Sequence, residues 1–247
     1  MTNFSAPPQP PAYNNSNTTQ FNSYPLTLEQ KYQNIVRKYE ISTLFAQKLQ
    51  ILQSYKIVFV FDDSGSMNTT LQDSPLNNNN SLFKATRWDE LQYFANISIE
   101  IASIFNPNGC DIYFLNRFPS PLKNITDPAQ LVNYFHEKPQ GFTPLTRTLN
   151  LVLNDNPPHI LGERKLLIVL ATDGEPTDTN GKVNIPEFKN VLMFRPSIVY
   201  TSIVACTDDD GSISYLNRWD RDIPRLGFFI LLFLILYIFD LAFERCC

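Results

Sequence analysis

Apolar residues recur along this chain with two alternating periods. From Thr27 they fall at helical spacing, at Leu28, Tyr32, Ile35, Val36 and Tyr39 and then at Leu44, Phe45 and Leu49, and Thr27 with Gln30 forms a capping box at the start. The spacing predicts a helix that packs as an N-terminal extension. Residues 56–62 are a short apolar run rich in β-formers and bounded by charge, which predicts a buried strand, and residues 68–81 with their run of asparagines predict a polar loop. A second helical stripe begins at Thr86, where Asp89 completes a capping pair, and continues through Leu91, Phe94, Ala95, Ile101, Ala102 and Phe105. The alternation then runs strand 110–116, helix 128–135, helix 145–153, strand 165–172, helix 185–194 opened by Pro186, and strand 197–206.

Strands that are apolar on both faces and alternate with helices of this length predict an α/β fold: a doubly wound, mainly parallel sheet flanked by helices. In such sheets ligands bind in the crevice beyond the carboxyl ends of the strands. Two polar clusters fall there, at residues 62–66 and 172–178.

The ends of the chain depart from this pattern. Residues 1–24 are dominated by Pro, Asn, Ser, Thr and Gln without periodicity, which predicts a disordered tail. Its proline geometry also suits a groove-type recognition domain. Residues 25–53 form the helical extension and residues 54–225 the main domain. Residues 226–243 are an apolar segment, read as a possible transmembrane anchor with Arg221 and Arg225 on the cytosolic side. Its uncharged part, residues 227–239, reaches only ~20 Å as a helix against a hydrocarbon core of ~30 Å, so the span is marginal. The same run could instead begin as an edge strand and continue into a core helix, or stem from an error in the gene model. Cys246 and Cys247 behind it are candidates for lipidation.

Composition narrows the function classes. The 247 residues and 43% hydrophobic content support one sizeable core, and 20 Lys and Arg against 24 Asp and Glu give no basic excess to neutralise phosphates, so nucleic acid is not an expected partner. The 2 histidines, His136 and His159, form no HExxH. The 4 cysteines show no CxxC spacing and no apolar leader opens the chain. The expected setting is cytoplasmic-facing, with the C-terminal segment as a candidate membrane anchor. Cys110 and Cys206 read as small buried hydrophobes. Asn-x-Ser/Thr triplets such as 68–70 and 124–126 read as chance in a chain so rich in Asn.

Residues 59–67, "FVFDDSGSM", pose the chemical question, because an apolar strand ends abruptly in Asp62, Asp63, Ser64 and Ser66. Buried polar groups without partners cost about 1–3 kcal/mol each, so such a cluster needs an exposed edge, a hydrogen-bond network or a cation. "GFTPLT" adds Thr143 and "ATDGEPTD" adds Asp173 at the same predicted edge. Hydroxyls and carboxylates without imidazole or thiolate suit a hard cation such as Mg2+ or Mn2+. Each motif alone has a plainer reading: "DSGS" as a capping turn, "TDG" as a β-turn, Thr143 as a loop threonine. No GxSxG, no phosphate-cradling glycine loop and no second Asp two residues after Asp62, as a haloacid-dehalogenase phosphatase requires, is present. "TDDDG" at residues 207–211 lacks the spacing of a calcium loop and reads as a solvated turn.

Taken together, "DDSGS", "GFTPLT" and "ATDGEPTD" resemble the three loops of von Willebrand factor A (VWA) domains, and the resemblance spans residues 54–225. It implies a Rossmann-like fold with a complete metal-ion-dependent adhesion site. In that site Ser64, Ser66 and Thr143 ligate Mg2+ or Mn2+ directly, and Asp62 and Asp173 act mainly through waters or supporting hydrogen bonds. It further implies a non-enzymatic protein-binding domain in which the cation captures an Asp or Glu of a partner, with Asp63, Glu175 and Asp178 shaping the rim. The alternative is a Mg2+-dependent hydrolase or phosphotransferase using the same acidic edge. A site at the sheet's edge predicts that Asp62→Ala and Asp173→Ala both remove cation-dependent binding while leaving the fold largely intact.

Overall fold

In chain order the elements are α1 (Leu28–Lys38), α2 (Thr43–Leu49), β1 (Tyr55–Phe61), α3 (Arg87–Phe105), β2 (Cys110–Phe114), β3 (Leu122–Ile125), α4 (Val132–His136), α5 (Leu145–Asp155), α6 (Pro158–Leu161), β4 (Lys165–Thr172), α7 (Ile185–Phe194), β5 (Val199–Ala205), α8 (Asp210–Ile213), α9 (Trp219–Asp222) and β6 (Leu226–Ile230). The structure, a computed structural model, describes residues 26–77, 84–207, 209–216 and 219–230.

One six-stranded sheet has the order β3-β2-β1-β4-β5-β6, with β3 antiparallel to β2 and the other neighbours parallel. β1 and β4 lie at its centre, and strands buried on both faces take such places because "IVFVF" and "LLIVLA" offer no polar side to water. The chain moves from β1 outward to β2 and β3, then returns past β1 to β4. The strand order therefore reverses between β1 and β4, and the crevice above their carboxyl ends is the switch point where α/β sheets hold ligands.

The helices form layers on both faces. On one face α3 covers an aromatic cluster of Phe59, Phe61, Trp88, Phe114 and Phe135, with the Trp88 and Phe135 rings 4.6 Å apart. On the other, α5 to α9 cover Val58, Val60, Ile168, Leu170 and Ile203. A third layer sits outside α3: Tyr32, Tyr39, Ile41 and Ala46 of the α1–α2 segment pack on Ile97, Ile101, Ile104 and Phe105. Lys38 Nζ lies 2.7 Å from Glu100 and the Tyr39 hydroxyl donates to it at 2.9 Å, latching the layer at its rim.

The sequence predicts one helix from Thr27 to about residue 49; two are formed. Glu40 adopts φ 49° and Ser42 caps α2 by accepting from the Phe45 N–H, so the chain turns and both segments lay their apolar faces on α3. The capping boxes expected at Thr27 and Thr86 are both present. Cys110 and Cys206 are buried free thiols, the first pushed up to about 12 by burial and by the charge of Asp111.

Leu226–Ile230 is an edge strand paired with β5, from Thr201↔Leu226 to Ala205↔Ile230. Those residues are ones the expected anchor also requires. What remains of the apolar run, residues 231–243, would reach only ~20 Å as a helix, and it lies outside the described residues, as do the tail at 1–24, Cys246 and Cys247. Among the described residues no helix is long and apolar enough to cross a membrane.

Candidate metal centre

The carboxyl ends of β1 and β4 are locked in register, Phe61 opposite Ala171, and the Asp62 N–H donates to the Ala171 carbonyl at 2.9 Å. This carries Asp62 one residue past the sheet beside the end of β4, where Thr172 and Asp173 follow. Asp62 and Asp173 are thus brought together from positions far apart in sequence, and both are buried.

Asp62 is fully engaged. One carboxylate oxygen accepts the Ser64 N–H at 2.9 Å and the other the Thr172 hydroxyl at 2.5 Å. Burial, then the nearby charge of Asp173, pushes its carboxyl up to about 7, although the hydrogen bonds from Ser64 and Thr172 pull the other way. The Ser64 and Ser66 hydroxyls are 3.0 Å apart, and Ser66 donates to Asp173 Oδ1 at 2.8 Å. Ser64 is buried and Ser66 is exposed, so this chain of hydroxyls leads from the buried acids to the surface.

Four of the five predicted residues therefore form one hydrogen-bonded group. Thr143 joins it through the backbone: the Gly65 N–H donates to the Gly141 carbonyl at 3.1 Å, which fastens the "GFTPLT" loop against the "DSGS" loop. A second clasp ties Thr143 to the third loop, its N–H donating to Thr177 Oγ1 at 3.0 Å and its carbonyl accepting from the Thr177 N–H at 2.9 Å. Thr143 is itself buried beside the edge.

Several residues around the site were not legible in the sequence. Arg87, the first residue of α3, places Nη1 2.8 Å from Asp173 Oδ2 and donates from Nη2 to Thr207 Oγ1 at 2.7 Å. Arg117 pairs with Asp63 at 2.8 Å and stacks over the Trp88 ring at 4.7 Å. These contacts correct the expectation for Asp63. It is buried beneath the rim, where it accepts the Asn116 N–H at 2.8 Å while its carbonyl accepts the Gln140 N–H at 2.8 Å, so it braces two loops from below. Asp178 folds its own turn by accepting the Asn180 and Lys182 N–H groups at 2.8 and 2.9 Å. Of the "TDDDG" segment, expected as a solvated turn, Asp209 caps α8 and Asp210 and Gly211 open that helix, while residue 208 lies outside the described residues.

Chemically, the residues fit a hard divalent cation. Two carboxylates are held close enough to repel, and hydroxyl oxygens stand between them and solvent, the donor set such a cation takes. Among the described residues no group of three or more His, Cys, Asp or Glu side chains gathers around a common point.

No family profile matches the chain, and no curated protein matches it. Among solved structures, the crystal structure of manganese-loaded Plasmodium vivax TRAP protein is similar at 17% sequence identity and a TM-score of 0.41, over 76% of this chain and 72% of that one.

Proposed function

We propose that the upper edge of the sheet is a metal-ion-dependent adhesion site of VWA type. In this reading Ser64, Ser66 and Thr143 hold Mg2+ or Mn2+, with Asp62 and Asp173 in support, and the bound cation captures an Asp or Glu side chain presented by a protein partner. The observation that carries it is the pairing of Asp62 with Asp173 at the switch point beneath the Ser64 and Ser66 hydroxyls, an arrangement whose repulsion a divalent cation relieves.

The cation would supply concentrated positive charge at the surface. Everything else falls to the chain. Ser66 relays Asp173 to the edge, Thr172 and the Ser64 N–H orient Asp62, and the two clasps through Gly141 and Thr177 keep the three loops at fixed separation. One candidate general base for the hydrolase alternative is Asp62, whose carboxyl is pushed up to about 7, but both its oxygens already accept hydrogen bonds inside the protein. The binding reading is therefore favoured over the enzymatic one.

Calorimetry with Mg2+ and Mn2+, and a pull-down with and without EDTA, test the proposal. Binding of cation and chelator-sensitive capture of a partner are expected. Absence of cation binding, or partner capture that survives EDTA alongside chelator-sensitive turnover of a phosphate ester, overturns it.

A further inference from the structure

Resting on that reading, the inference concerns what makes the site prefer an acidic partner. Asp173 has both oxygens engaged, Oδ1 by the Ser66 hydroxyl and Oδ2 by the Arg87 guanidinium at 2.8 Å. The ion pair is sealed, with the Arg87 side chain 10% exposed and that of Asp173 fully buried. In this setting the two charges offset one another far more completely than an exposed pair does. Arg87 cannot swing away easily, since Nη2 is hooked to Thr207 Oγ1 beyond the end of β5 and the residue starts α3 directly after its capping threonine. Glu90, the neighbouring acid one turn along α3, is buried and already engaged. Asp63 is matched by Arg117.

We propose that Arg87 is a specificity-determining residue that neutralises Asp173, so that a bound divalent cation keeps positive charge uncompensated by the protein and takes a carboxylate from its partner. The arrangement exchanges cation affinity for ligand affinity. Without Arg87, Asp173 would bear its full charge on the cation through Ser66, holding the metal more tightly and leaving less attraction for an incoming acid. A merely structural arginine would behave otherwise, because its loss would loosen the loops and weaken both interactions together.

The sign of the two changes is therefore the test. Cation affinity is measured by calorimetry with Mn2+ and Mg2+. Carboxylate affinity is measured by titrating acetate into the Mn2+-loaded protein and following water-proton relaxation. For Arg87→Gln we expect Mn2+ affinity to rise about tenfold and acetate affinity to fall about tenfold, while Arg87→Lys, which keeps the charge, stays within about threefold of the parent in both. Thr207→Val keeps every charge and unhooks the guanidinium, so it should move both affinities in the same opposed directions by about twofold; it decides the matter if the glutamine variant does not fold. Parallel loss of both affinities, or no change in either, overturns the role of Arg87 while leaving the cation site standing. Failure of the parent protein to bind Mn2+ or Mg2+ overturns the site itself and this inference with it.

Discussion

Two buried aspartates on neighbouring strands, Asp62 above β1 and Asp111 low on β2, carry the same carboxyl and meet opposite surroundings. At Asp111 burial alone would raise the carboxyl, but a hydrogen bond from Lys56, the Asn124 N–H and the charges of Lys56 and Lys123 outweigh it and hold it below the ordinary range. Lys56 lies 2.9 Å away and Lys123 3.2 Å away, and Lys123 also meets Asp155 at 3.7 Å and the Tyr113 hydroxyl at 2.8 Å. That network is closed. At Asp62 burial and a second acid act in the same direction and push the carboxyl up to about 7. The lower edge pairs its acid with two lysines and reads as structure; the upper edge pairs Asp173 with Arg87 but offers Asp62 only the neutral donors of Ser64 and Thr172.

The sharpest way to break the comparison is within the upper edge. Asp173→Ala strands the buried Arg87 guanidinium, so it should cost about 3–5 kcal/mol in urea unfolding and not only abolish cation binding. This revises the sequence-based expectation that removing either acid would leave the fold largely intact. Asp111→Ala should cost about 2–3 kcal/mol, less because Lys123 is partly solvated, and leave Mn2+ affinity unchanged; a loss of Mn2+ affinity would mean that the two edges are coupled. Asp62→Asn points the other way. The Thr172 hydroxyl can turn to accept from the new amide, repulsion with Asp173 disappears, and cation-free stability should rise by on the order of 1 kcal/mol while cation binding is lost. A fall in stability there would refute the view that the upper edge is strained by like charge.

The smallest effect is in pH. Because the folded state holds Asp111 below its ordinary value, its contribution is complete above about pH 4 and is lost as the pH falls through the lowered value. Unfolding free energies measured at pH 5 and pH 3 should differ less in Asp111→Asn than in the parent.

Sequence reasoning reached the central architecture because the central elements are locally self-consistent. β4 and α7 begin and end where their apolar runs do, and Thr86 with Asp89 marks the start of α3. β3 was missed because a four-residue edge strand with two exposed polar residues has no apolar alternation to read. β6 begins the apolar run that sequence reasoning read as an anchor or as an edge strand leading into a helix, and its pairing with β5 matches the strand alternative for residues 226–230. That Asp62, Ser64, Ser66, Thr143 and Asp173 gather at one edge was legible from loop motifs, whereas the contacts of Arg87 and Arg117 were not. Each joins an acid across a wide gap in sequence, and such pairs leave no spacing rule behind.

The layer formed by α1 and α2 also determines where the protein can be divided. α3 meets the sheet with one side and Tyr32, Tyr39, Ile41 and Ala46 with the other, so it keeps no broad face for water. A polypeptide starting at Ser54 would uncover Ile97, Ile101, Ile104 and Phe105 as a continuous oily stripe, and such stripes drive self-association. The helical extension is thus not a detachable module: proteolytic trimming between α2 and β1 should increase self-association relative to the untrimmed chain, as light scattering would show.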